Sequence, residues 1–382
     1  MTRDLPIIRA AGLISSLGPL VQACAAFRAG ITRILASSDL THAVEGEGEP
    51  QPVKVCEIPI ATFGFSGIGR LVSILCEALK DLGSQFPLAE IPPDIALFLA
   101  LPDPMERGIP VRPEIEEDEQ RKVTALGLRV LDQALENLGL KWNGRRQFFG
   151  GGHAAFAHAL EAACEEMSRG ALRSCIVAGI GSLVAPDVLE RLLDDARLKT
   201  GDNPVGFIPG EAGAAFFLEA TRASLSASSG PDAWIRSVKS GYEPRHRGTG
   251  LLPDGRSLAD CVLAALEAST EAHTEPVLIG DHNGEQDRAM EWGNLQVHLA
   301  AQGMGRGGFV SWFPSAGFGD TGAASGAVGL CVALRALKRG YSPSPTLVIL
   351  SSAETGERAA IVVSLVQSRR PSPPTRLIVA PA

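Results

Sequence analysis

GGGHAAFAHALEAACEEMSRG (residues 150–170) leads into the apolar stretch SCIVAG (174–179), and GDTGAASGAVGLCVALRALKRG (319–340) leads into TLVIL (346–350). Each unit is a glycine-rich turn, a helix of alanines and glycines, a basic residue followed by glycine, and a fully apolar strand. Small residues along such a helix let a second helix approach closely, which suits the middle of a protein. The echo predicts a duplicated architecture. Two alanine-rich helices can also resemble each other by chance, so the repeat alone leaves one large unit open.

Outward from these units, the chain alternates strands and helices. IIRAAGLISSLGPLVQACAAFRAG (7–30) reads as a strand, a small-residue turn and a helix ending at Gly30, and residues 40–55 as a polar loop. A helix is expected at about 67–83, a strand buried on both faces in DIALFLALP (94–102), and a second helix in residues 116–140 that stops near Gly139. RRQFFG (145–150) then leads into a helix at about His153–Met167. Such alternation with right-handed crossovers gives a mostly parallel α/β sheet. The loop at 224–232 offers the best boundary, dividing the chain into 1–225 and 226–382, and the tail after Gln367 reads as loosely ordered.

At 382 residues the chain exceeds the usual single core. A net charge of −8 and a pI near 5.5 argue against nucleic acid or an anionic membrane as partner. No apolar run is as long as a membrane span, and MTRDLPIIRAAGL lacks a signal-peptide charge pattern, so a cytoplasmic protein is expected. The seven cysteines are scattered, with no CxxC and no metal-ligand spacing, which fits reduced core thiols.

Four segments, in order and spread over nearly the whole chain, resemble the β-ketoacyl synthases of the thiolase superfamily. They are the opening strand–turn–helix ending in Ala29, Gly30 and Ile31, then GFIPGEAGAAFFLEA (206–220), DHNGEQDRAMEW (281–292) and GFGDTGAASGAVGL (317–330). The resemblance implies a thiolase-like five-layered αβαβα fold of two pseudo-duplicated halves, and a homodimer. It also implies a cysteine and two histidines at the site, and here all three are replaced. Counting back from Gly170 puts His153 at the nucleophile position, with Phe149 the runner-up if the glycine run is shifted. The first histidine position falls on Asn283, beside His282, and the second on Asp320. The family's glycine-rich loop near the C-terminus is similar in place to SSAETGERAA (351–360), which has lost its glycine pattern.

These departures bear on chemistry. A thiolate at a helix N-terminus is stabilised by the dipole and amides, whereas an acyl-imidazole on His153 would be far more labile than a thioester. A carboxylate at 320 facing a malonyl group at about 4 Å, with an effective dielectric of about 20, costs roughly 4 kcal/mol. Losing an oxyanion donor costs a further ~10²–10³ in rate. Each residue also has a structural reading: His153 as a helix-opening polar residue, Asp320 as an N-cap or first-turn acid, and Glu211 as a brace between strands. Gly150–Gly152 could cradle a phosphate, but close backbone packing suits them better. Phe148 and Phe149 are expected at a subunit contact or filling a tunnel.

Two functions follow. One is a non-condensing partner subunit or adaptor, engaging an acyl carrier protein, a synthase subunit or a secretion effector. NGEQDRAMEW resembles a segment of thiolase-like proteins found beside type VI secretion effector genes. The other is an active acyltransferase of the 3-oxoacyl-[acyl-carrier-protein] synthase type or a hydrolase, with His153 or His282 as base and Asp320 or Glu285 orienting it. No cofactor is expected. His153, His282, Glu285 and Asp320 lack the spacing of a metal site.

Overall fold

The computed structural model describes residues 5–43, 48–88, 92, 94–103, 119–221, 233–269, 275–305 and 307–365. The first half runs β1 (Pro6–Ser15), α1 (Leu20–Arg28), β2 (Leu35–His42), β3 (Gln51–Val55), α2 (Pro59–Thr62), α3 (Gly67–Gly83) and β4 (Ala96–Ala100). It continues with α4 (Glu119–Leu138), β5 (Arg146–Phe149), α5 (Ala155–Ser168), β6 (Ser174–Ser182), α6 (Pro186–Asp194) and β7 (Glu211–Ala220). The second half runs β8 (Ala233–Tyr242), α7 (Arg256–Ser269), β9 (Val277–Ile279), α8 (Gln286–Ala301) and β10 (Ser311–Trp312). It ends with α9 (Ser315–Phe318), α10 (Ser325–Arg339), β11 (Thr346–Ser352) and β12 (Glu357–Leu365).

Strand order states the duplication. Ten strands follow the order β10-β9-β11-β12-β8-β1-β7-β6-β4-β5. From the centre outward, the first half reads β1-β7-β6-β4-β5 and the second β8-β12-β11-β9-β10, the same path through the chain. The pairings repeat as well. Two antiparallel ladders are followed by two parallel ones in each half. Among the described residues, the two halves of the sheet join through Ile7↔Trp234 and Ile8↔Ala233. The expected boundary at 225/226 and the tail after Gln367 lie outside the described residues.

Three cores separate five layers. Leu71, Leu75 and Leu79 of α3 and Val130 and Leu131 of α4 cover one face of the first half. Val262 of α7 and Leu295 and Leu299 of α8 cover one face of the second. Between the halves, Phe156 and Leu160 of α5 pack with Ala327 and Leu330 of α10. Residues alternate along each strand: Val177 and Ile349 point to the central core, and their neighbours Ile176 and Val348 point outward. A strand buried on both faces therefore has no polar side, which is why these segments are continuously apolar. This is the expected αβαβα arrangement.

Both central helices open in the same way. A short 3₁₀ turn, Gly152–Ala154 or Gly322–Ala324, precedes each helix, and its first glycine is left-handed, φ 54° at Gly152 and 56° at Gly322. The two turns pack against each other at the centre.

Some expectations need correction. Within the stretch 40–55, expected as a polar loop, residues 40–42 and 51–55 belong instead to the β2–β3 ribbon, whose Val53 and Val55 pack beneath Val188 and Leu189 of α6. The expectation for Phe148 and Phe149 is not among them: Phe148 is buried in the core under α4, and half-buried Phe149, on the edge strand β5, stacks on Phe98 with centroids 6.2 Å apart. None of the described helices is long and apolar enough to cross a membrane.

Candidate functional site

The turn before α5 delivers His153 into the interior, and the turn before α10 delivers Asp320 to meet it. His153 Nε2–H donates to Asp320 Oδ1 at 2.8 Å, and both side chains are buried. Asp320 takes two further bonds: Oδ1 also accepts the Gly322 N–H at 2.9 Å, and Oδ2 accepts the Asn283 amide at 2.6 Å. The bond from Gly322 makes Asp320 a cap of the turn as well as a partner of His153, so its structural reading holds alongside the contact. Its backbone is pinned too, since its N–H donates to Ile208 O at 2.8 Å and its carbonyl accepts from Gly210 at 2.7 Å. Gly210 has to be glycine: a Cβ there would lie 2.3 Å from the Phe318 carbonyl oxygen.

Arg288, in the first turn of α8, completes the set. The same guanidinium nitrogen, Nη2, lies 3.1 Å from Nδ1 and 3.4 Å from Nε2 of His153. The lone pairs of those two ring nitrogens diverge, so one donor close to both leans across the ring instead of lying along either lone pair. Arg288 Nη1 is also 3.1 Å from Asp281 Oδ2 and Nε 3.8 Å from Glu285 Oε2. Asp281 in turn accepts the Ser352 N–H at 2.6 Å.

Glu285 belongs to this cluster but does not orient a histidine. Its oxygens accept from Arg197 Nε and Nη2 at 2.9 and 3.0 Å, and from Arg247 at 2.8 Å. Asn283 bridges the two carboxylates, donating to Glu285 Oε2 at 3.1 Å as well as to Asp320. Arg197 reaches on to Glu354, 2.5 Å away, in the turn between β11 and β12. His282 makes no hydrogen bond to Asp320 or Glu285 among the described contacts. Its ring stands edge-on to Phe313 at 5.4 Å, and its buried Nδ1 has no hydrogen-bond partner.

Charge follows from this packing. Burial opposes ionisation of Asp320, but His153, Arg288 and the Gly322 N–H outweigh it and hold the carboxyl well below its usual range. Burial and then Arg288 push the His153 pKa down; the adjacent Asp320 prevails and the net direction is up. Burial likewise opposes Glu285 and Glu354, yet Arg197 and its neighbours lower both. Arg288 stays charged despite burial because Asp281, Asp320, Glu285 and Glu354 surround it. The bare carboxylate expected at 320 is therefore a neutralised one. Repulsion of an incoming acid is correspondingly weaker than the isolated-charge estimate.

No thiol joins the group. All seven cysteines are free, and among the described hydrogen bonds none joins a cysteine to the His153 or Asp320 side chain; Cys56 packs against Gly319. Burial pushes Cys24, Cys56 and Cys261 up to about 12. Phe149, the alternative nucleophile position, sits at the end of β5 in a hydrocarbon environment. Among the described residues, no group of three His, Cys, Asp or Glu side chains could hold a metal.

A cavity of about 260 Å³ reaches the cluster, lined by His153, Asp320, Arg197 and Glu354 together with Leu183, Leu192 and Phe207. A surface groove of about 400 Å³ lies beyond it, lined by Arg247, Glu285, Leu251 and Leu252. Arg197 lines both and forms the shared wall. Sequence reading missed Arg288, Arg197 and Glu354. The only trace of the first was its closeness in sequence to Asp281 and Glu285, just ahead of α8.

No protein-family model matches the chain, and no curated protein matches it in sequence. Solved structures do match. The ishigamide ketosynthase/chain length factor aligns with a TM-score of 0.66 and 17% identity over 95% of this chain and 100% of that one. A type II polyketide synthase acyl-carrier protein in complex with its ketosynthase bound to the hexaketide gives a TM-score of 0.70 and 12% identity over 96% and 100%. The oxazolomycin ketosynthase domain of Streptomyces albus gives 0.71 and 14% over 97% and 75%. The fold is the thiolase-like fold of these ketosynthases.

Proposed function

We propose that the protein is a ketosynthase-like binding subunit, halves 1–225 and 226–382, that does not condense acyl chains. One observation carries the reading: His153, at the position where the resemblance puts the nucleophile, is locked between Asp320 and Arg288 with no thiol beside it. A base or nucleophile needs a ring nitrogen that faces substrate. Here Nε2 is bonded to Asp320, and Arg288 lies against the ring where a substrate proton would have to approach. An imidazole so held positions a turn; it does not attack. A partner role is supported by two of the similar structures, one a ketosynthase/chain length factor and one a ketosynthase with its acyl-carrier protein. An adaptor role beside a secretion effector rests on the resemblance of NGEQDRAMEW alone.

The rival is an acyltransferase or hydrolase using His153 and Asp320. Their 2.8 Å bond and the adjoining cavity favour it. Opening it would require Arg288 to leave four carboxylates and Arg197 to leave two. Incubation with acyl- and malonyl-loaded carrier protein, followed by intact-mass measurement and carbon dioxide assay, separates the two. No adduct and no gas are expected; a covalent acyl adduct or decarboxylation would overturn the proposal.

A further inference from the structure

Helices α1 and α10 pack together, and their C-terminal ends meet. The Arg28 guanidinium, in the last turn of α1, lies 4.2 Å from the centre of the Tyr341 ring, just past the end of α10. Trp312 stands beside the same ring, with centroids 6.3 Å apart. Arg335 acts electrostatically on both Cys24 of α1 and Tyr341, so it belongs to the same corner. Arg339 follows it at i+4, on the same face of α10. Arg28 and Arg339 are exposed, and Arg335 and the two rings are half-buried.

The chain does not neutralise these cations. Among the described residues, no salt bridge joins Arg28, Arg335 or Arg339 to an acid. Asp81, whose field also reaches Cys24, accepts with Oδ2 from the Leu13 and Leu20 amides at 2.9 and 3.1 Å. Helix dipoles favour a cation in a last turn, which suits Arg28 and Arg339. That effect is local to each helix end and does not call for Arg335 or for aromatic rings alongside.

We propose that this corner docks an acidic segment of a second protein. A guanidinium laid on a ring keeps its edge free, and that edge matches a carboxylate bidentately. Arginine, tyrosine and tryptophan are also the residues that dominate binding energy at interfaces. Exposed Val21, on the Arg28 side of α1 by its spacing, and exposed Val310, close to Trp312 in sequence, give an apolar rim. At ~0.1 M salt a charge is felt over about 10 Å. A short acidic segment therefore meets the arginines alone, whereas a membrane or nucleic acid also meets the rest of a chain of net charge −8. The corner is separate from the candidate site. Asp320 precedes the N-terminal end of α10, whose 15 residues span about 22 Å, so the inference stands whether or not that site is silent.

The probe is a short fluorescein-labelled peptide rich in glutamate and leucine, titrated with the full chain and read by fluorescence anisotropy. A glutamine-for-glutamate peptide is the control. The acidic peptide binds with a dissociation constant below ~100 µM, and raising salt from ~0.05 to ~0.3 M weakens it at least ~10-fold. Arg28→Glu and Arg339→Glu each weaken it about 10-fold, and Tyr341→Ala about 5-fold. Arg129→Glu, an exposed reversal on α4 in an outer layer, leaves it unchanged. Melting stays at the wild-type value for the two exposed arginine variants, and Arg28→Gln with Arg339→Gln repeats the result should a reversal misfold. Absence of binding, equal binding of the glutamine peptide, or indifference to both arginine reversals overturns the inference. Binding of phosphatidylserine vesicles or duplex DNA through these arginines, where the peptide fails, overturns it as well.

Discussion

Glu211 and Asp320 are both buried carboxylates facing an arginine, and the Gly210 N–H to Asp320 carbonyl bond ties them together along the backbone. Their surroundings differ. Glu211 accepts five hydrogen bonds, from Ile58 N–H, Thr62 Oγ, Arg70 Nε and Nη2, and Ser182 Oγ, and it lines neither of the two cavities near Arg197. Asp320 accepts three, a cavity reaches it, and the cation beside it, Arg288, is shared with three other carboxylates. The first is a brace between α2, α3 and two central strands. The second has the position of an active site and the bonding of a brace. A site's place in a fold and its available chemistry are therefore separate properties, and the second is read from which lone pairs remain free.

Breaking the brace should have the largest effect. Glu211→Ala strands the Arg70 guanidinium in the interior, which costs about 3–5 kcal/mol. Urea unfolding measures it, and a loss under 1 kcal/mol would mean that water or Glu57, 3.7 Å from Arg70, takes over the charge. Asp320→Asn should cost less, about 2 kcal/mol, because the amide keeps its oxygen for His153 and Gly322 but turns donors toward the Asn283 amide. A cost equal to that of Glu211→Ala would remove the distinction between the two sites.

Much of the fold was legible, for physical reasons. Strands buried on both faces are continuously apolar, and a central helix must be small-sided, so SCIVAG, TLVIL and the two glycine-opened helices announced the duplicated centre. Glu211 as a brace and the meeting of His153 with Asp320 followed once the family resemblance fixed the order of segments. Arg288 did not show. On α8 it reads as one more polar residue in QDRAMEW, and only the fold turns that face inward. The β2–β3 ribbon was hidden because its partner is α6, far along the chain, and half its residues face water.

Acid and base sharpen the same contrast. Asp320, Glu285 and Glu354 have lowered pKa values in the folded protein, so their stabilisation is complete above about pH 4 and is lost as pH falls toward their folded values. His153 has the opposite sign. Its pKa is raised by Asp320, so its contribution is complete below about 6.5 and fades as pH climbs through the raised value. The stability gap between wild type and His153→Asn should accordingly narrow on the alkaline side, measured by urea unfolding from pH 6 to 9. A gap that stays constant over that range would mean that Arg288 keeps the ring neutral throughout.

The smallest effect separates backbone conformation from side-chain chemistry. Gly322 opens the turn that carries Asp320, with φ 56°, and a Cβ built there meets only Leu183, at 3.6 Å. Gly322→Ala therefore pays for the left-handed backbone alone, about 1 kcal/mol, with the Asp320 bonds to His153 and Asn283 intact. The pH dependence of its stability should then run parallel to that of the wild type, offset by a constant. A changed slope would mean that the Gly322 N–H has moved off Oδ1, and that the turn holds Asp320's charge more than the neighbouring side chains do.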